Sequence, residues 1–170
     1  IVVLGGVTFP TGTPADAPGL GPLATGATGV GAYQINLGLA VEQTFGPWLV
    51  NATGLVAQRT SRTVGSGQAA VSETLGPQWT ALAAVAYTFD GAAALALSLS
   101  EVLEGDARID GSDAPGSGHR LFSVAVSGLL PLAAHYHLQG SLSDNPPIPA
   151  LSESQPADLT LTIAAVRTWN

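Results

Sequence analysis

Three groups of side chains have types and spacing that could do chemistry. His119, His135 and His137 fall on the polar rows of alternating segments, together with Ser123, Ser127 and Ser141. A histidine beside a serine, with a carboxylate behind it, could hydrolyse or transfer an acyl chain. However, His135 and His137 lie near a short turn and His119 near a long connection, and no G-x-S-x-G elbow is present. His135-x-His137 offers two imidazoles to one strand face without an identifiable third metal ligand. Asp106, Asp110 and Asp113 surround Gly111, but the spacing is not D-x-D-x-D-G and reads as a solvated acidic loop. The chain is therefore expected to have no catalytic residues, no metal site and no cofactor.

The composition limits what can position these groups. The 170 residues are 46% hydrophobic and only 10% charged, and mean hydropathy is +0.34. An ordinary soluble domain carries about a quarter charged residues. No run of about 18 apolar residues occurs, which excludes a transmembrane helix, and 21 Gly with 12 Pro exclude a long-helix protein. Cysteine is absent, so there is no disulfide framework and no thiolate chemistry. The net charge of -7, with no lysine and five arginines, excludes a nucleic-acid surface. The first segment, IVVLGGVTF, reads as a strand already under way. It has no export-signal pattern, so such a signal is expected to have been removed, or the chain to be part of a longer one.

Period two is the dominant pattern. Tyr33, Ile35, Leu37, Leu39 and Val41 alternate with Gln34, Asn36, Gly38, Ala40 and Glu42. Further apolar rows run through Trp79–Phe89, Phe122–Val126, Tyr136–Leu142 and Leu159–Trp169. The pattern predicts a single all-β domain over 1–170, an antiparallel up-and-down meander of about eight strands. These strands are placed roughly at 1–9, 29–45, 48–61, 78–89, 92–104, 119–130, 134–143 and 157–169. Short turns fall at Gly46-Pro47, Asp90-Gly91 and 131–134. Long loops fall at 10–28, 62–77, 105–118 and 144–156.

Three features turn the apolar rows toward lipid rather than toward a core. The polar rows consist of Ser, Thr, Asn, Gln, Gly and His instead of Lys and Glu. Aromatic residues gather beside the short turns, at Phe45, Trp48, Tyr87, Phe89, Tyr136 and Trp169, as one interfacial girdle. Short and long connections also alternate, as in barrels with short periplasmic turns and long extracellular loops. The expected fold is a transmembrane β-barrel of the bacterial outer membrane, either whole or as the C-terminal part of a larger barrel.

In such a barrel Gln34, Asn36, Glu42, Asn51, Arg59, His119, His137 and Gln139 are expected to line the lumen. Glu42, Arg59 and Glu104 share the polar face by parity. They could form a charged constriction that selects solutes, or an ion pair that fills the interior. Arg59, Arg62, Arg108 and Arg120 lie toward the long-loop end, where they could meet lipopolysaccharide phosphates or the loop acids. Arg167 falls on an apolar row, tolerable if it snorkels to the interface.

Phe9-Pro10-Thr11-Gly12, a Gly-rich loop, and a strand pair joined at Phe45-Gly-Pro-Trp48 resemble bacterial outer-membrane proteins of the meta-pathway phenol-degradation family. The closing segment Thr160–Trp169 is similar to the aromatic-ended last strand recognised by outer-membrane assembly machinery, although Asn170 follows the aromatic. The resemblance implies uptake of small, often aromatic compounds, and carries over no catalytic residue. The expected function is passive transport of small apolar or aromatic solutes. The alternatives are a structural barrel with a filled lumen that anchors the envelope or displays acidic loops to a protein partner, and a lipid-modifying hydrolase or acyltransferase. Expected partners are membrane lipid, lipopolysaccharide and a small-molecule solute.

Overall fold

In a strand, successive side chains point to opposite faces, so an alternating sequence becomes a two-faced sheet once its register is set. In a computed structural model, which describes residues 1–12, 31–65, 70–133, 135–146, 148 and 157–167, the alternating segments do this. Eight long strands form one antiparallel sheet: β1 (Val2–Thr8), β2 (Gln34–Phe45), β3 (Trp48–Arg59), β6 (Gln78–Thr88), β7 (Ala94–Glu104), β10 (His119–Ala133), β11 (Tyr136–Asp144) and β12 (Leu159–Arg167). Their spatial order follows the chain, so the sheet is an uncrossed meander. Among the described residues β1 pairs only with β2 and β12 only with β11, which leaves the sheet as a wall with two open edges.

The stretches read as long loops at 62–77 and 105–118 contain four short strands that the sequence pattern did not reveal. These are β4 (Arg62–Val64), β5 (Val71–Thr74), β8 (Ala107–Ile109) and β9 (Ser112–Ala114), and they form a separate sheet in the order β4-β5-β8-β9. β4 continues β3, β5 leads into β6, β8 continues β7 and β9 leads into β10. The small sheet thus prolongs the four central strands beyond the wall. Runs of three or four residues are too short to show a period.

The connection at Asp90-Gly91 is one residue longer than expected. Gly91 and Ala92 both have left-handed φ, +88° and +63°, and the Phe89 N–H donates to the Ala93 carbonyl at 2.8 Å. The loop therefore spans Asp90, Gly91 and Ala92, and β7 starts at Ala94.

The two faces of the wall are inverted relative to a soluble sheet. Leu37 is 59% exposed, and Ile35, Leu39 and Val41 are similarly open, whereas Gln34, Asn36 and Ala40 between them are half-buried. The only buried apolar residues among those described are Ala32, Ala57 and Ala107. A charged side chain, Arg59, is buried to the same degree at 8% exposure. Exposed apolar surface on this scale marks a surface covered by lipid or by other protein. The polar face is the less exposed of the two and is called the inner face.

Candidate functional site

Strand register decides which polar side chains meet. On the inner face, Asn36 pairs with Ala57, Ala57 with Gln78, Gln78 with Glu104 and Glu104 with His119. These five residues form one row across β2, β3, β6, β7 and β10, at the end of the wall nearest the small sheet. Arg59 stands two residues beyond Ala57 on β3, opposite Gln34. The long guanidinium stem reaches diagonally back into the row. Its Nη1 lies 2.6 Å from the Glu104 carboxylate, and its Nε donates to Gln34 Oε1 at 2.9 Å. Its Nη2 donates to Gln78 Oε1. Gln34 in turn donates to Asn36 at 2.7 Å, and His119 Nε2 approaches Glu104 at 3.9 Å.

Arginine suits this place because its planar fork carries several donors in fixed directions, so that one side chain bonds to three strands. The charge is compensated where it sits, since side-chain exposure is 7% for Arg59 and 12% for Glu104. The result is a crossbar of six polar groups, with the Arg59 charge balanced by Glu104, over one end of the inner face.

The expected lining residues therefore fall into three separate groups. Gln34, Asn36, Arg59 and His119 come together in the crossbar. Glu42 pairs in register with Asn51, each three residues from the short-turn end of its strand, and the Asn51 side chain accepts from Thr53 at 3.3 Å. Eight residues of β3 separate Asn51 from Arg59, about 26 Å at about 3.3 Å per residue, so Glu42 and Arg59 do not form the constriction that parity allowed. His137 and Gln139 lie on β11 toward the opposite, short-turn end, opposite Pro131 and Leu129. Gln78 is the crossbar member that sequence reasoning did not single out. Its only sequence signal is a polar residue opposite the alternation of Trp79, just after Pro77.

The inner face is also less uniformly polar than its Ser and Thr rows suggested. Leu49, Leu55, Leu82, Leu121 and Leu129 share it, each opposite an inner-face residue such as Thr44, Gly38, Ser100, Val102 or Ala94. Apolar patches thus alternate with hydroxyls between the two polar ends.

The other candidate groups are occupied by structural contacts. Asp106 Oδ1 accepts from the Gly116 and Gly118 N–H groups at 3.1 and 2.9 Å. Asp110 Oδ1 accepts from Ser72 N–H at 2.8 Å, and Asp113 pairs with Arg108 at 2.8 Å. The arginines toward the long-loop end each face a carboxylate: Arg62 pairs with Glu73 at 2.6 Å, Arg120 with Glu101, and Arg59 and Arg108 as described above. His135 is exposed in the turn between β10 and β11.

On the outer face the aromatic side chains form two belts, not one. At the short-turn end Phe45 pairs with Trp48. Trp48 meets Tyr87 edge-on with centroids 4.7 Å apart, and Tyr87 meets Phe89 at 4.7 Å. Tyr136 carries the Arg167 guanidinium over its ring at 5.5 Å, which accounts for an arginine on an apolar row. Trp169 lies outside the described residues. At the other end, Phe9 and Tyr33 stack edge-to-face at 5.9 Å, and Trp79 is 58% exposed. Tyr33 and Phe45 are twelve residues apart on one strand line, and Trp79 and Tyr87 eight. At about 3.3 Å per residue and a tilt of about 40°, the belts stand roughly 20–30 Å apart, the height of a bilayer-facing band.

No protein-family model and no curated protein matches this chain. Among solved structures, the chain is similar to the COG4313 outer membrane channel from Pseudomonas putida F1, with a TM-score of 0.72 and 19% identity. The match covers 97% of this chain and 58% of that one, so this chain spans a little over half the length of that channel. The likeness shows the fold: an all-β antiparallel wall of the kind found in an outer-membrane barrel.

Proposed function

We propose that this chain forms part of the wall of a bacterial outer-membrane channel that conducts small solutes passively. The observation that carries the reading is the inversion of the sheet, an exposed and predominantly apolar outer face between two aromatic belts, with the Arg120–Glu101 pair beside the Trp79 belt, around an inner face with a charge-compensated crossbar. A bilayer-facing wall needs both features, because lipid excludes charge while a water-filled interior accepts it. The fold shared with the Pseudomonas channel supports the same reading.

Open edges are not stable within hydrocarbon, because their unpaired N–H and C=O groups have no water to bond. We therefore read the eight strands as one portion of a wider barrel, whose bore exceeds what eight strands enclose. The filled-lumen alternative requires β1 to pair with β12, and among the described residues each has a single neighbour. The solutes proposed are small and apolar or aromatic, since the leucines of the inner face offer them contact between hydroxyl-bearing rows. His119 does have a carboxylate beside it, Glu104 at 3.9 Å. The hydrolase alternative is disfavoured because that carboxylate is bound to Arg59 at 2.6 Å and Ser123, the nearest serine in β10, lies four residues along the strand, about 13 Å away. Lipopolysaccharide and membrane lipid are the proposed surroundings of the outer face.

Conductance in a planar bilayer, with the intact mass of the mature protein, tests the proposal. Discrete ion-conducting steps are expected. A correctly inserted protein that gives none refutes it.

A further inference from the structure

Each strand that contributes a carboxylate, amide or imidazole to the far half of the crossbar carries a glycine beside it. Gly76 precedes Pro77-Gln78, Gly105 follows Glu104, and Gly118 precedes His119. These three glycines lie where the wall gives way to the small sheet, and there the backbones of neighbouring strands come unusually close. A Cβ on Gly118 would sit 2.5 Å from the Glu104 carbonyl oxygen, and a Cβ on Gly76 would sit 2.8 Å from that of Asp106 and closer still to that of Gly105. Gly105 N–H donates to the Pro77 carbonyl at 3.0 Å, and Gly118 N–H donates to Asp106 at 2.9 Å. Real side chains are essentially never found this near a backbone oxygen, so only glycine allows the approach.

We propose that Gly76 and Gly118 are positioning residues for a solute filter at Arg59 and Glu104. The proposal rests on the channel reading and adds to it the location of the filter and the backbone device that holds it. The close approach fixes β10 against β7 and β7 against β6, directly beside Glu104. The carboxylate is thereby held within 2.6 Å of Arg59, and the guanidinium is drawn across β3, β6 and β7 instead of projecting into the passage. Held in this way the crossbar presents no net charge from its Arg59–Glu104 pair, and the passage discriminates solutes by size and polarity rather than by sign. A side chain at Gly118 moves the strand, loosens Glu104 from Arg59 and leaves a cation facing the passage.

The test is the potassium-to-chloride permeability ratio of the full chain in planar bilayers, taken from reversal potentials in a KCl gradient. Glu104→Gln is expected to shift the ratio toward chloride by about threefold or more, the scale for one uncompensated unit charge in a water-filled passage. Gly118→Ala is expected to shift it in the same direction. The two together should shift it no further than Glu104→Gln alone, because the glycine acts through the carboxylate. Gly54→Ala is the control, since a Cβ there meets nothing within 4 Å. If Gly118→Ala does not assemble, Gly105→Ala takes its place, with a milder approach of 3.3 Å to Pro77 Cδ and a smaller shift expected. A ratio moved by Glu104→Gln but not by the glycine variants, or moved additively, overturns the positioning role and leaves the channel reading intact. A wild-type chain that conducts no ions refutes the channel reading, and the filter falls with it.

Discussion

Replacing Glu104 with glutamine removes the charge that balances Arg59 while keeping shape and hydrogen-bonding capacity. The pair is almost fully enclosed, with side-chain exposures of 7% and 12% and a separation of 2.6 Å. Leaving one member of an enclosed pair without its partner destabilises a fold by about 3–5 kcal/mol. Part of that is offset here, because Gln34 and Gln78 continue to accept hydrogen bonds from the guanidinium, and bonds to charged groups contribute about 1.5–3 kcal/mol each. The expected loss for Glu104→Gln is therefore about 2–4 kcal/mol. The assay is urea unfolding of the refolded protein in lipid vesicles, followed by tryptophan emission and far-ultraviolet circular dichroism. Arg59→Gln combined with Glu104→Gln should be less damaging than the sum of the single changes, with a coupling of about 1–3 kcal/mol. A loss below about 0.5 kcal/mol, the scale of an ordinary surface substitution, together with additive behaviour of the double variant, would refute the account of the crossbar.

Three further outcomes follow from the faces and the packing. Leu99→Arg, on the outer face between the belts, should destabilise the inserted protein by about 2–4 kcal/mol, whereas Ser98→Asn, one residue away on the inner face, should change stability by less than about 0.5 kcal/mol; vesicle unfolding titrations that find equal effects would contradict the inversion. In a chain retaining only Trp79 (Trp48→Phe with Trp169→Phe), emission should be quenched most strongly by lipids labelled near the headgroup, and maximal quenching by chain-centre labels would remove the second aromatic belt. Gly38→Ala should lose about 1–3 kcal/mol, the range for overpacking, because its Cβ would meet the Gly54 carbonyl and lie 3.1 Å from Leu55 Cγ. Gly54→Ala, with open space, should lose little in the same unfolding measurement.

The contrast between Leu37 and Arg59 shows where reading the chain succeeds and where it stops. Alternation at Ile35, Leu37 and Leu39 against Gln34 and Asn36 is a local property, because a strand sends successive side chains to opposite faces whatever surrounds it. The strands, their uncrossed order, the short turns, and the presence of Arg59 and Glu104 on one face were therefore legible from the chain. The orientation of the apolar rows toward the surroundings also followed, because scarce charge and a lack of lysine suit lipid better than water. Tertiary structure decided what depends on register between strands that are distant in sequence. Arg59 was weighed with Glu42 because they share a face, but its partner is Glu104, since the pairing of β3 with β6 and of β6 with β7 brings that carboxylate within reach. Gln78 entered the site for the same reason. The second aromatic belt joins Phe9 just after β1, Tyr33 just before β2 and Trp79 on β6, none of which signals a belt alone. The small sheet of β4, β5, β8 and β9 and the close approach at Gly76, Gly105 and Gly118 likewise arise only when separate hairpins lie side by side. Periodicity along one strand says which way a side chain points, and only register across strands says what it meets.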